Sequence, residues 1–369
     1  MEKIERVLHV LGRLDRGGAE TMVMNLYRNI DRSKIQFDFI IHTDDECDYT
    51  SEILQLGGRI YSISKYNVKN HIKYKKEWSD FFYKHPEYKI IHGHVRSTAA
   101  IYLKIAKKYK LTTISHSHNI SSGNGIKAIV KNILQYPIRY IADYFFACSN
   151  QAGIWLFGKK VCRKSNFFIV NNSIDSKRFM YNKKVRSQKR LELGLENNFV
   201  IGHIGRFHPQ KNHTFLIDIF KHVIIRKADA KLLLIGDGEL FDYINNKVSM
   251  LGLQKNVVFI RRSDNISELL QAVDVFVFPS LYEGLGMVAI EAQAAGLPTI
   301  VSDSIPEEAF ITNLIKKINL SLSEEKWAEE ILKYSSKGER NNMYEEICNK
   351  GYDINNTAKW LESFYMKGR

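Results

Sequence analysis

Two acidic side chains eight positions apart, Glu283 and Glu291, carry the most chemistry for their surroundings. Val275, Val277 and Phe278 form a short apolar, β-branched run that predicts a buried strand, and Pro279-Ser280 ends it. Glu283-Gly284-Leu285-Gly286 then reads as a Gly-rich loop. Met287 to Ala295 reads as a helix of good formers, closed by Gly296 with Pro298 beyond it, and Thr299–Val301 starts the next strand. On one continuous helix, eight residues leave about 80° between the two carboxylates. The spacing therefore suits Glu283 in the loop and Glu291 inside the helix. Glycines let a backbone approach a ligand, and a helix N-terminus offers unpaired amides to an anion. A carboxylate further along the helix suits a pair of hydroxyls. The chemistry indicated is binding of a molecule that carries both phosphate and hydroxyl groups.

A second cationic constellation stands upstream. Phe199 to Ile204 predicts a strand. Gly205-Arg206 and Lys211-Asn212 follow it, and an amphipathic helix begins near His213. Two cations at that spacing are either surface charges or, beside a helix N-terminus, a diphosphate clamp, the arginine by its planar fork and the lysine as a point charge. Near the start of the chain, the apolar residues 7–12 precede a polar loop and Gly17-Gly18-Ala19-Glu20. That stretch opens a helix with Met22, Val23, Leu26 and Ile30 at helical spacing, and its glycines make either a tight turn or a further phosphate cradle. It lacks the Gly-x-Gly-x-x-Gly dinucleotide pattern. Two more predicted strands end in histidines, His92 and His94 in one, His116 and His118 in the other. Ligands of open α/β sheets bind beyond the carboxyl ends of strands, so these imidazoles are site candidates. No carboxylate at ligand spacing accompanies them, so no metal site is expected.

The string Glu283-Gly-Leu-Gly-Met-Val-Ala-Ile-Glu291, flanked by Pro279-Ser280 and Ala295-Gly296-Leu297-Pro298, resembles the Glu-x7-Glu signature of the retaining glycosyltransferases of family 4. Gly205-Arg206-x-x-x-x-Lys211-Asn212 resembles that family's phosphate-binding pair, and Gly17-Gly18-Ala19-Glu20 its N-terminal donor loop. Residues 231–238 also resemble the family. In residues 168–179, Asn171 and Ser173 stand where its interdomain segment has proline and glycine, and Arg261 stands where glycine is frequent. The resemblance spans essentially the whole chain. It implies an α/β protein of GT-B architecture, two Rossmann-like domains facing across a cleft. The N-terminal, acceptor-side domain would span 1–178 and the nucleotide-sugar domain 195–350, with a last helix at about 352–369 packing back on the first. It also implies a metal-independent retaining transfer from a nucleotide-sugar, a UDP-sugar being expected, with no further cofactor. Arg206, Lys211, the helix at Gly286 and the Gly17-Gly18 loop would receive the diphosphate, and Glu291 the ribose hydroxyls. Glu283, Gly284 and Leu285 would line the donor. Glu283 would orient its sugar together with His116 or, two residues on, His118.

Composition sets the wider frame. The 369 residues include 44% apolar side chains and suffice for two cores. No apolar run is long enough for a membrane span, and the first residues lack a signal-peptide pattern. Cys47, Cys148, Cys162 and Cys348 show no disulfide or metal spacing, which fits a reducing cytoplasm. The net charge of +14 is concentrated: residues 61–178 carry 21 Lys+Arg against 5 Asp+Glu, the remainder 33 against 35. Such a region is either a solvated surface or one drawn to an anionic membrane or polyanionic acceptor. No nucleic-acid module signature is present. Ser-Ser-Gly-Asn at 121–124 predicts a loop, and the basic amphipathic helix from Ile126 suits either a membrane surface or packing on the core. The acids Asp44, Asp45, Glu46 and Asp48 read as a solvated loop rather than a metal-binding Asp-x-Asp. The expected function is transfer of a sugar to a glycan or polyprenyl-linked acceptor in capsule, exopolysaccharide or other envelope assembly, at the inner face of the plasma membrane. Other GT-B chemistries, an epimerase or a phosphorylase, and a non-catalytic sugar- or membrane-binding relative are the alternatives.

Overall fold

The computed structural model describes residues 4–118, 125–263, 265–336 and 338–367. The loop expected at 121–124 and the last two residues of the helix expected at about 352–369 lie outside them. The chain forms two compact units, residues 1–174 with 351–369, and residues 175–350.

The first unit is built on seven parallel strands: β1 (Glu5–Val10), β2 (Ile35–Ile41), β3 (Ile60–Ser62), β4 (Ile90–Gly93), β5 (Thr112–Ser117), β6 (Tyr144–Ala147) and β7 (Phe167–Ile169). Their order is β3-β2-β1-β4-β5-β6-β7. Neighbouring residues on a strand point to opposite faces, so one strand feeds two cores. Val7, Phe39, Ile90 and Phe146 pack on one side against helix Gly18–Asn29. Leu8, Ile40, Ile91 and Phe145 pack on the other against helices His71–Lys84 and Ala99–Lys108. The C-terminal helix Ile354–Lys367 joins the first of these cores through Ile354, Ala358, Leu361 and Tyr365. The segment leading to it is tied to residues 171–174. Ser173 Oγ lies 2.7 Å from Thr357 Oγ1, Asn171 Nδ2 donates to Gly351 O, and Ile174 bridges Asp353. The two departures at 171 and 173 thus anchor the returning chain with side-chain hydrogen bonds.

The second unit carries β8 (Phe199–Ile204), β9 (Ala230–Ile235), β10 (Val257–Ile260), β11 (Val275–Phe278), β12 (Thr299–Ser302) and β13 (Ile315–Ile318), in the order β10-β9-β8-β11-β12-β13 and again all parallel. Residues 175–178, expected to close the first domain, and 179–194, expected to link the two, belong to this unit. The reason is Asp274: Arg186 and Arg190 from helix Lys183–Glu192 both pair with its carboxylate, which also accepts from Val200 N–H. In both sheets the strand order reverses beside the first strand, between β1 and β4 and between β8 and β11. Such a switch point leaves a crevice at the carboxyl ends of the strands, where ligands of this architecture bind.

Candidate functional site

In the second unit, the loops after β8 and β11 flank the switch point. The loop after β8 runs through Gly205 and Arg206 into a short 3-10 turn, Pro209–Lys211, and Asn212 takes a left-handed φ of 56° before helix His213–Arg226. Gly205 leaves room for the lysine, since a Cβ there would press on Lys211 Cγ at 3.0 Å. The lysine stem therefore lies over the backbone and carries Nζ across the switch point. There it donates to Glu283 Oε1 at 2.6 Å and sits 4.7 Å from the Phe278 ring centre. Both side chains are largely buried, 16% and 8% exposed. Gln210 also spans the two loops: its carbonyl accepts from Leu281 N–H, and its side chain donates to Tyr282 O. Arg206 behaves differently. It is exposed, and among the described residues its guanidinium has no hydrogen-bond or ion-pair partner.

Gly286 caps the helix Met287–Ala294 at φ +79°, where an L side chain would be strained, and its Cβ would approach Phe278 at 3.4 Å. Of its first-turn amides, Ala289 N–H donates back to Gly286 O, and those of Met287 and Val288 lie before the first intrahelical acceptor. Gly284 is exposed and Leu285 buried. Glu291, on the second turn, is partly buried, and loss of water pushes its carboxyl up to about 7 while nearby Arg178 pulls the other way. Gly236 holds the neighbouring loop tight against the first, since a Cβ there would meet Gly205 O at 2.1 Å. Arg261 at the end of β10 pairs with Asp237 and lies over the Phe241 ring. A separate cavity of about 370 Å³, lined by Phe199, Asp274, Pro298 and Arg340 among others, holds none of the candidate residues. Phe199 and Pro298 lie at the amino ends of β8 and β12, so the residue chemistry and strand polarity place the candidate site at the opposite end.

In the first unit, the switch point is lined by imidazoles. His9 on β1, His92 on β4 with His94 just beyond it, and His116 on β5 with His118 just beyond it share one face of the sheet. The rings contact one another, for example His116 with His118 at 4.1 Å between centres. Burial keeps all five neutral. It lowers His9 to about 3 and His118 to about 4, and holds His92, His94 and His116 well below the usual imidazole range. Nitrogens of His9, His92 and His94, and of His94, His116 and His118, lie within 4.8 Å of one another, so these two triads have the spacing to hold a metal ion. Both nitrogens of His92 and of His94 are, however, spent on hydrogen bonds to their neighbours.

The Gly17-Gly18 loop follows β1, with Gly17 as N-cap of helix Gly18–Asn29. A Cβ on Gly17 would meet Glu20 Oε2 at 2.3 Å, so the glutamate folds back over the helix entrance, where burial raises its carboxyl pKa. The acidic loop fastens this region. Arg13 pairs with Asp15 and Asp45, and Asp48 accepts from Arg16 N–H. The cluster that resembled a metal motif is thus an anchor for the Gly-rich loop.

Within the second unit the structure brings Lys211 to Glu283, and within the first His116 and His118 to three further imidazoles. Sequence reasoning left His9, Arg178 and Tyr365 out. His9 carried a signal, its place near the end of the first strand. Tyr365 carried none, being 273 residues from the histidine it bonds.

Similarity to known proteins follows the same division of the chain. The family profile described as "Glycosyltransferase Family 4" matches residues 16–178, and that described as "Glycosyl transferases group 1" matches residues 185–350. A glycosyltransferase of Bacillus subtilis (strain 168), EpsF, is 36% identical over 98% of this chain and 96% of its own. An Escherichia coli enzyme named UDP-Gal:alpha-D-GlcNAc-diphosphoundecaprenol alpha-1,3-galactosyltransferase is 26% identical over 62% of each chain. Among solved structures, Anabaena Alr3699/HepE in complex with UDP superposes with a TM-score of 0.72 at 19% identity, covering 98% of this chain and 95% of that one. That likeness establishes the fold: two Rossmann-like halves of the GT-B type.

Proposed function

The chain belongs to the group 1 glycosyltransferases of glycosyltransferase family 4, and on that premise we propose that it moves a hexose, with retention of anomeric configuration, from a UDP-sugar to a lipid-linked glycan acceptor. The observation that carries this reading is the second unit's switch point. An exposed arginine and a lysine held by a carboxylate stand on the two loops that flank it, and the second loop leads into a helix N-terminus with a half-buried glutamate on the next turn. A departing nucleoside diphosphate develops negative charge, and fixed cations and amides stabilise that charge without reorganising. Arg206 and Lys211 take the diphosphate, Gly284, Leu285 and the amides after Gly286 line it, and Glu291 accepts from the ribose hydroxyls. Glu283 holds Lys211 in place and accepts from the donor sugar. In this reading transfer needs no metal ion. Within the first unit, the Gly17-Gly18 loop and His116 or His118 stand at the carboxyl ends of strands and are the residues offered there to sugar.

UDP as the leaving group is supported by the nucleotide bound in the Anabaena protein and by the name of the E. coli relative, which also supports an undecaprenol-diphosphate acceptor. Capsule, exopolysaccharide or related envelope assembly is the corresponding role. No helix among the described residues is long and apolar enough to cross a membrane. Helix Ile126–Gln135 and the turn Tyr136–Tyr140 bury Ala128 and Ile138 but expose Ile129, Val130, Ile133, Tyr136 and Tyr140 beside Lys131. An apolar stripe with basic neighbours in the most basic region of the chain supports peripheral attachment to an anionic cytoplasmic leaflet. The test is a mass-spectrometric screen of nucleotide-sugars against undecaprenol-diphosphate-linked acceptors, with NMR of the product anomer. Transfer with retained configuration is expected. Turnover of the nucleotide-sugar without a glycosylated product would favour an epimerase, and phosphate-dependent cleavage a phosphorylase.

A further inference from the structure

Two hydrogen-bonded chains run through the histidine cluster, and they end differently. In one, Tyr365 Oη lies 2.6 Å from His92 Nδ1, His92 Nε2 lies 3.1 Å from His116 Nδ1, and His116 Nε2 is buried without a partner among the described residues. In the other, His9 Nδ1 lies 3.0 Å from His94 Nε2 and His94 Nδ1 lies 2.8 Å from His118 Nε2, while His9 Nε2 and His118 Nδ1 are both unpartnered among the described residues. A neutral imidazole has one N–H and one lone-pair nitrogen, so each bond in a chain fixes the direction of the next. Either chain has only two self-consistent proton arrangements.

The tyrosine chooses between them in the first chain. Tyr365 is fully buried, and among the described residues His92 is the sole partner of its hydroxyl. Either arrangement leaves one buried donor unpaired, the Tyr365 O–H or the His116 Nε2–H, at the cost of a forfeited hydrogen bond. A phenol is the stronger donor and an imidazole lone pair the better acceptor, so the O–H···N bond is the one that forms and the His116 N–H is the donor left for a ligand. Tyr365 therefore donates to His92 Nδ1, which places the His92 proton on Nε2. That proton is donated to His116 Nδ1, so the His116 proton sits on Nε2, the nitrogen left free. The second chain has no hydroxyl at either end, and nothing in it selects a direction.

We propose that Tyr365 is a positioning residue that acts through His92 to fix His116 as the Nε2–H tautomer, making His116 rather than His118 the hydrogen-bond donor offered to an oxygen of the bound sugar. The inference rests on the proposed glycosyltransferase reading for the identity of that oxygen, and not for the tautomer itself. A histidine held in this form steadies a hydroxyl or a developing negative charge. It does not act as a base at that nitrogen, because the lone pair faces His92.

Long-range ¹H–¹⁵N correlation spectra of the full-length, ¹⁵N-histidine-labelled protein test it, with His116 assigned from the signal missing in His116→Gln. In wild type the His116 proton is expected on Nε2. In Tyr365→Phe that preference is expected to collapse into a mixture of tautomers, with kcat falling about tenfold and the donor KM nearly unchanged. A wild-type His116 protonated at Nδ1 overturns the proposal without any variant having to fold. So does an unchanged His116 tautomer in a Tyr365→Phe protein whose melting shows it is folded. If the tautomers behave as stated but His116→Ala turns over at the wild-type rate, the relay stands as structure. The assignment of His116 to the donor sugar is then what fails.

Discussion

Lys211 Nζ reaches Glu283 Oε1 at 2.6 Å across the point where the second sheet reverses its strand order, and both side chains are mostly removed from solvent. The pair joins the loop that follows β8 to the loop that follows β11. It therefore holds a cation and a carboxylate in fixed relation before any ligand arrives.

Removing one partner of such a pair leaves the other charge desolvated and alone. Lys211→Ala is expected to destabilise the protein by about 3 kcal/mol. Adding Glu283→Gln should recover much of that, because the stranded charge is gone. Neither variant should transfer sugar. Urea denaturation midpoints beside a transfer assay check this. Equal midpoints for the single and the double variant would show that the pair is not the source of the cost.

Arg206 should separate function from stability. It is exposed and makes no ion pair, so Arg206→Ala should leave the melting temperature within the range of an ordinary surface substitution. Transfer should fall by about 10²–10³-fold if the guanidinium meets the departing diphosphate. Wild-type kcat/KM in Arg206→Ala would remove it from the site.

Under the proposed function, the cations and amides of the second unit take the place of a divalent ion. Turnover in excess EDTA is expected to match turnover in Mg²⁺. A strict requirement for added metal would instead direct attention to the histidine triads, whose nitrogens are close enough to bind one.

Glu291 gives a pH dependence with a definite sign. Its folded carboxyl titrates at about 7, above the ordinary value near 4.3. Its stabilising contribution as the neutral acid is complete below the unfolded value and is lost as pH rises through 7. The free protein is thus expected to lose stability across that window. The ionised form is the better acceptor for two hydroxyls, so nucleotide should bind about eightfold to tenfold more tightly at pH 8 than at pH 6. Calorimetric titration with UDP at several pH values, with Glu291→Gln giving a flat profile, checks both halves.

Attachment to membranes should follow charge and the exposed stripe together. Flotation is expected with anionic vesicles, not with neutral ones, and should fade with salt. Ile133→Glu should weaken it without changing the fold, since Ile133 is 67% exposed. Flotation indifferent to lipid charge and to Ile133→Glu would assign the basic region to a solvated surface.

The sequence by itself determined the alternation of strands, Gly-rich loops and helices, and with it the family. It also fixed which residues stand at the carboxyl ends of strands. These features are local: apolar periodicity, loop glycines and caps are legible because their causes lie within a few residues. Two edge strands escaped. In Ile315–Ile318 the lysines of an exposed edge dilute the apolar pattern, and Phe167–Ile169 is too short to stand out from the segment after it. Only the tertiary structure decided that Lys211 is committed to Glu283, that Asp274 claims the supposed linker, and that Asp45 and Asp48 serve the loop at residues 13–16. Only it could bring Tyr365 to His92. A side chain's hydrogen-bond partner is set by which strands and helices become neighbours, and strand order is a property of the whole sheet. Residue types can propose a histidine as a donor, but which nitrogen holds its proton depends on a hydroxyl that folding delivers from the far end of the chain.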